Sequence, residues 1–272
     1  MGDLYAAFDR FKFDRPAPRV LRVTINRPDK MNALDAEGHG QMERIWAAID
    51  ADPETRVAII TGAGKAFCAG GDFSSMPNAG SAPVDTNQQG AKSFRDATNL
   101  VNGIINASKP IVSAINGPAV GAGLAVALLA DVSIAAKGAK LIDGHLRLGV
   151  APGDHAALIW PLLCGLAKAK YYLMTNEPMT GEEAERMNLV SLAVDDEALE
   201  AKALEVAIRL ADTAPTALRM TKYVLNHWLR QHQPIFDLSV AFEMMNFLGA
   251  EAKAAAEAYA AKSAPSFPDS SF

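Results

Sequence analysis

Two glycine-rich segments and one histidine carry the residue types and spacings that could do chemistry. The first segment, TGAGKAFCAGGDF at 61–73, runs from a β-branched stretch into a turn of Cys68, Ala69, Gly70 and Gly71 anchored by Phe67. Glycine tolerates positive φ and leaves no Cβ in a ligand's way, so such a turn can aim a free N–H into a cavity. The second, KPIVSAINGPAVGAGLAVALLAD at 109–131, ends a strand at Asn116-Gly117-Pro118 and opens a small-residue helix near Gly121, Ala122 and Gly123. Unpaired N–H groups and the positive dipole end of such a helix stabilise negative charge. Paired, the amides of Gly71 and Ala122 read as two halves of an oxyanion hole. Taken singly, one is an ordinary tight turn and the other a Gly/Ala helix packed closely on a sheet. Neither is a nucleotide loop: Lys65 is followed by Ala66 rather than Ser or Thr, and no G-x-G-x-x-G opens a helix.

His145 and Asp154 lie in the stretch HLRLGVAPGD, nine residues apart. An imidazole with an unperturbed pKa of ~6.5 suits general base work at neutral pH. An aspartate accepting from one ring nitrogen would orient the ring and stabilise its protonated form. The turn at 149–153 could return the carboxylate to the imidazole, although a single histidine with a nearby acid is also a common structural pair. His155 reads as exposed or as backing Asp154; His39, His227 and His232 read as solvated or packed helix residues. Glu243, on the C-terminal amphipathic segment, is a remote candidate for approach to the site. Trp160 and Trp228 read as core or interface residues, and Asp72 as fixing its turn through backbone hydrogen bonds. No His/Cys/Asp/Glu group shows metal-ligand spacing, so no metal is expected.

The elements that must position these residues fall into two regimes. Up to about residue 150, strands at 20–26, 57–61 and 111–115 alternate with helices at 36–50, capped by Asp35, and 90–107. Residues 74–89, rich in Ser, Pro, Asn and Gly, read as a surface loop. Beyond 155 the pattern is helical, at 156–164, 167–174, 181–187, 197–210, 216–232 and 234–261, with a short strand at 189–194. An α/β core over 1–195 followed by a helical oligomerising or pocket-closing region over 196–272 is the expected organisation. The last ten residues, SAPSFPDSSF, read as frayed.

Composition narrows the partners. The chain has 272 residues, half of them hydrophobic, with a formal charge of −5. No apolar run reaches the ~20 residues of a membrane span, and nothing resembles a signal peptide. An acidic balance gives no electrostatic reason to expect nucleic acid or an anionic membrane. Cys68 and Cys164 sit in unlike contexts and read as a buried reduced pair, which suggests a cytoplasmic protein.

Together the motifs resemble the crotonase (enoyl-CoA hydratase/isomerase) superfamily, from RPDKMNAL at 27–34 through GAGKAFCAGGDF, KPIVSAINGPAVGAG and LRLGVAPGD to MTGEEAERMNLV. The resemblance implies a spiral of ββα units, a C-terminal helical trimerisation region, and a homotrimer or dimer of trimers. It implies an acyl-CoA ligand, with coenzyme A entering as part of the substrate and no separate cofactor. By motif position, Gly71 and Ala122 would bind the thioester oxygen, Met31 and Ala33 would lie along the CoA moiety, and Lys65 would contact phosphate. Ala69, Asp72, Phe73, Gly121 and Ala125 would line the substrate site.

The hydratases of this family use two glutamates, and both are replaced here, by Ala125 and His145. The His145/Asp154 pair resembles members that hydrolyse carbon–carbon bonds of cyclic β-diketones, such as 6-oxocamphor hydrolase. Three expectations follow: an acyl-CoA enzyme using His145 and Asp154, a C–C hydrolase of β-diketones, or a non-catalytic acyl-CoA-binding oligomer.

Overall fold

The computed structural model describes residues 4–72 and 86–269. Phe73 and residues 74–85 of the expected loop lie outside the described residues, as does the very end of the tail. Residues 86–89 already belong to a helix.

A sheet of six strands forms the first layer. It takes β1 (Phe11–Ala17), β2 (Val20–Ile25), β3 (Val57–Gly62), β4 (Ile111–Ile115), β6 (Val132–Ala136) and β9 (Leu192–Val194), in that spatial order. All neighbours pair in parallel except β1 with β2. The β4 strand is buried at all five positions, as a parallel strand covered on both faces must be. The periodicity did not mark β1. It contains Pro16, which cannot donate to a ladder, and it occupies the sheet edge where that loss is tolerated. A second sheet joins β5 (Ala119–Val120), β7 (Lys140–Ile142) and β8 (Met179–Thr180) in the order β5-β7-β8.

Helices cover both faces. On one lie α1 (Ala36–Ala51), α2 (Thr86–Asn106) and α3 (Ala122–Leu129); Ser113 points that way and donates to the Ala127 carbonyl at 2.7 Å. Asp35 caps α1 as expected, accepting from the Gly38 amide. The other face takes α6 (Leu199–Ala211), which packs on β3, β4 and β6. Part of the region expected to serve oligomerisation therefore belongs to the core layering. Between α6 and the sheet, at the strand ends carrying Thr24, Thr61 and Asn116, lies a cleft of about 720 Å³. It is on the sheet face away from α3.

The remaining helices are α4 (Ala156–Thr175), α5 (Gly181–Arg186), α7 (Pro215–Leu225), α8 (His227–Gln231), α9 (Gln233–Asn246) and α10 (Ala250–Ala260). The two expected helices at 156–164 and 167–174 are both present, running consecutively within α4 and separated at Gly165, whose φ of 76° is not helical. Met220, Tyr223, Val224, Leu225, Trp228 and Leu238 on α7–α9 are exposed. No described helix is long and apolar enough to cross a membrane. Both cysteines are free; Cys68 is buried, and Cys164, expected to be buried, is only half so.

Candidate functional site

The two glycine-rich segments meet. Residues 68 and 119 form a parallel bridge in which Cys68 donates to the Pro118 carbonyl and Val120 donates to the Cys68 carbonyl, at 3.1 and 2.9 Å. Gly123 sits against Cys68 so closely that a Cβ there would fall 2.6 Å from the Cys68 Cβ. On its other edge the 68–72 segment pairs with residue 34: Leu34 donates to the Gly70 carbonyl and Asp72 donates to the Leu34 carbonyl, each at 2.8 Å. Alternation along an extended segment then turns the Gly71 N–H away from Leu34. Gly71 is exposed, and nothing lies within 4 Å of where its Cβ would be. Ala122 opens α3, so its N–H is among those with no intrahelical acceptor. Two backbone donors are thus held by paired segments, with no backbone acceptor among the described residues.

The other expected ligand residues, Phe73 aside, are placed as follows. Met31 is exposed with a left-handed backbone, and its carbonyl accepts from Ala69 at 3.0 Å. Ala33 is buried, and Gly121 is half-buried. Lys65 is exposed on a loop clamped from below by buried Asn32, which donates to the Ala63 and Ala66 carbonyls at 2.9 and 2.7 Å. Asn116 donates to the Gly62 and Gly64 carbonyls, both at 3.0 Å. Asp72 accepts from Arg27 at 3.0 Å, and Arg27 also donates to the Ala33 carbonyl. A side-chain ion pair thus ties the 68–72 turn to the 27–34 segment. Ala125 is fully buried, a core residue without surface of its own.

The acid/base half is richer than the sequence suggested. His145 begins a 3-10 turn (His145–Leu148) after β7 and is 5 % exposed. Its Nδ1 lies 3.0 Å from Asp143 Oδ2, while Nε2 faces Asp154 Oδ2 at 3.7 Å and Glu243 Oε1 at 3.5 Å. The carboxylate that orients the ring is therefore Asp143, where Asp154 was expected. Asp143 is two residues away, and backbone geometry puts it closer than the return of the 149–153 turn does Asp154. Asp154 does reach the site: its Oδ2 is 3.7 Å from the place a Cβ on Gly121 would take, beside the start of α3.

Glu243 arrives from α9, and Gly153 admits it. A Cβ on Gly153 would fall 2.2 Å from Glu243 Oε2. Asn246, one turn further along, accepts from the Ala151 amide at 2.9 Å. His155, expected to be exposed, is fully buried behind Asp154, bonded through Nδ1 to Asp154 Oδ1. Trp160 donates to its other nitrogen at 3.2 Å. His39 and His227 lie on helices away from this cluster, as expected, whereas His232, expected on a helix, sits at the junction between α8 and α9.

Charge explains the ionisation states. Burial alone would pull the His145 imidazole down, but the charges of Asp154 and Asp143 and its hydrogen bonds to Asp143 and Glu243 hold it well above its usual value. For Asp154, burial pushes up, and the facing charge of His145 followed by the His155 ring holds it below the ordinary range. Burial dominates at Glu243 and raises it despite His145. Its Oε2 and Asp143 Oδ1 are buried without a hydrogen-bond partner among the described residues. The cluster is a histidine held among three carboxylates, with the imidazole shifted towards its charged form and Glu243 shifted upwards by its burial.

Asp143, Asp154 and His155 also bring possible metal-ligating atoms within 4.8 Å of one another, a proximity the sequence spacing did not reveal. Both His155 nitrogens already have partners, and His145 supplies the positive charge the carboxylates need.

The family model for enoyl-CoA hydratase/isomerase matches residues 17–270. The chain is 37% identical over 204 residues, 75% of its length and 77% of the relative's, to an (E)-benzylidenesuccinyl-CoA hydratase of Thauera aromatica. It is 29% identical over 251 residues to a 1,2-epoxyphenylacetyl-CoA isomerase of Escherichia coli, covering 91% of this chain and 94% of the relative. Among solved structures, an enoyl-CoA hydratase/isomerase from Mycobacterium paratuberculosis superposes with a TM-score of 0.83 at 32% identity. That match covers 91% of this chain and 97% of the other.

Proposed function

Since the chain belongs to the enoyl-CoA hydratase/isomerase family, the crotonases, we propose that it turns over an acyl-CoA thioester with His145, Asp154 and Glu243 as its proton-handling groups. The amides of Gly71 and Ala122 hold the thioester oxygen. When the adjacent carbon becomes an enolate, charge accumulates on that oxygen, and each prearranged donor stabilises it by ~3 kcal/mol. Met31, Ala33 and Lys65 carry the CoA portion, and Ala69, Asp72, Phe73 and Gly121 shape the acyl site. Ala125 brings no proton chemistry there.

The observation that carries this reading is the placement of His145 Nε2 between Asp154 and Glu243, with Nδ1 held by Asp143. Strongly coupled groups of this kind titrate as one unit. One proton below its resting count, the cluster accepts a proton from water or from a substrate carbon; at its resting count it donates one. His145 thereby takes the position of one family glutamate with a base of different pKa. Nothing at Ala125 takes the position of the other.

That one-sided arrangement favours a second reading, hydrolysis of a carbon–carbon bond in a β-dicarbonyl compound. Water loses its proton to His145 and attacks one carbonyl. The bond to the central carbon breaks, and the departing enolate takes its proton back from the cluster. In either reading the exposed apolar side chains of α7–α9 serve as contacts between copies in a homotrimer.

The test is turnover of crotonyl-CoA, a 3-enoyl-CoA, a β-ketoacyl-CoA and a bicyclic β-diketone by the wild type and by His145→Ala. Acyl-CoA turnover that disappears in the variant, with CoA-ester binding retained, supports the first reading. Cleavage of the diketone alone supports the second. Tight CoA-ester binding with no turnover of any substrate overturns both in favour of a binding protein.

A further inference from the structure

His155 and Trp160 have no direct access to a substrate, yet their hydrogen bonds fix a protonation pattern that reaches the site. An indole N–H donates and cannot accept. Trp160 is fully buried and points its Nε1–H at His155 Nε2 across 3.2 Å, so Nε2 must present its lone pair. The proton of that ring consequently resides on Nδ1, which faces Asp154 Oδ1. Asp154 then has one oxygen occupied by a donor from behind, and its other oxygen, Oδ2, turned to His145 Nε2 and to the start of α3.

We propose that His155 and Trp160 are positioning residues that lock Asp154 in the one orientation presenting Oδ2 to His145. The sequence of contacts runs Trp160, His155, Asp154, His145, Asp143, entirely through buried or nearly buried side chains. A buried carboxylate without the His155 donor would have both oxygens competing for His145 and would lose part of what keeps it ionised. A ring protonated at both nitrogens is excluded while Trp160 donates to it, so the positive charge of the cluster stays on His145. Leucine or phenylalanine at 155 would fill the same core volume and perform none of this. The proposal rests on the functional reading above only for its consequence in turnover; the protonation pattern stands by itself.

Side-chain ¹⁵N–¹H NMR of the ¹⁵N-histidine-labelled full-length protein, without any substrate, tests it. In the wild type His155 is expected as a single tautomer, protonated at Nδ1 and unprotonated at Nε2. Trp160→Phe removes the indole donor with little change of shape, and signal from protonated Nε2 is expected to appear. The ionisation midpoint of His145 is the second readout, with Asp143, Asp154 and Glu243 facing it from three different elements. It is expected to fall by about one pH unit in His155→Leu, because a less firmly ionised Asp154 supports the imidazolium less. His155→Asn places an amide N–H near the position of Nδ1 and is expected to restore the midpoint, which a purely space-filling role would not do. A wild-type spectrum with protonated Nε2 at His155 overturns the proposal with no variant needed. So does a His145 midpoint that is the same in His155→Leu as in the wild type, or one that Asn fails to restore. None of these results depends on which substrate the protein takes.

Discussion

The two halves of the site are built by opposite means. The half proposed to hold a carbonyl is backbone: Gly71 and Ala122 lie on segments paired to each other through residues 68 and 119 and tied to residue 34. The half proposed to move protons is side chain: Asp143, His145, Asp154 and Glu243 come from a strand end, a 3-10 turn, a helix approach and a distant helix. Backbone donors survive substitution of most neighbouring side chains, because the sheet fixes their direction. A charge cluster changes its chemistry with a single residue. On the proposed reading, this asymmetry would let the chain keep a carbonyl grip while Ala125 and His145 stand where the family resemblance expects glutamates.

The largest expected effect breaks the side-chain half and leaves the other intact. His145→Ala should lower kcat by about 10²- to 10⁴-fold, the usual contribution of a positioned acid/base group. Binding of a CoA thioester should be nearly unchanged, since Gly71, Ala122 and Lys65 are untouched. Steady-state kinetics alongside calorimetric titration with a non-reactive acyl-CoA would show the split. Equal losses of binding and turnover would mean the two halves are not separable.

Ionisation sharpens the same contrast. With His145 held well above its usual value, the free base needed to take a proton from water appears only at pH above the ordinary imidazole range. The rate should therefore rise with pH through a midpoint above 6.5, the ordinary imidazole value. Stability should run the other way. A raised imidazole contributes stability in full below its unfolded value and loses it as pH climbs through the folded one. Glu243, also raised, acts in the same sense from a lower starting point, its ordinary 4.5. Asp154, depressed, contributes above its ordinary 3.8 and loses that as acid protonates it. Tm should thus fall between neutral and alkaline pH in the wild type, and His145→Gln should flatten that decline. A Tm that rises over this window would contradict the charge arrangement.

How much of this was legible in sequence follows the same division. The backbone half is written locally: Gly70-Gly71 after a strand, and Gly121-Ala122-Gly123 before a small-residue helix, are contiguous motifs whose geometry is set within a few residues. The strands at 57–62 and 111–115 and the Asp35-capped helix were readable for the same reason. His145 and Asp154 were visible as candidates, but their partners were not. Asp143 carries a signal, the acid two residues before the histidine in IDGH, that only the fold of the turn converts into a contact. Glu243 lies about a hundred residues downstream, and helical periodicity says nothing of which loop a helix will meet. The burial of His155 depends on Trp160 one and a half turns along α4, a pairing that an exposed-histidine reading ignores.

Two glycine substitutions compare the halves at a finer scale. Gly153→Ala would place a methyl 2.2 Å from Glu243 Oε2, so α9 or the 149–153 turn must move. Gly123→Ala would drive a methyl into Cys68, at 2.6 Å from its Cβ, and shift α3 against the 68–71 turn. Each should cost about 1–3 kcal/mol of stability, as overpacking at a rigid contact does. Their functional signatures should differ. Displacing Glu243 removes one acceptor facing His145 Nε2, so Gly153→Ala should move the pH midpoint of turnover down towards the ordinary imidazole value. Displacing α3 misaligns the Ala122 amide, so Gly123→Ala should lower kcat at every pH and leave the midpoint where it was. The two pH–rate profiles, measured on folded protein below the Tm of each variant, decide whether the carbonyl grip and the proton station are mechanically independent. A midpoint shift in Gly123→Ala would show that the start of α3 also positions Asp154, whose Oδ2 lies next to Gly121.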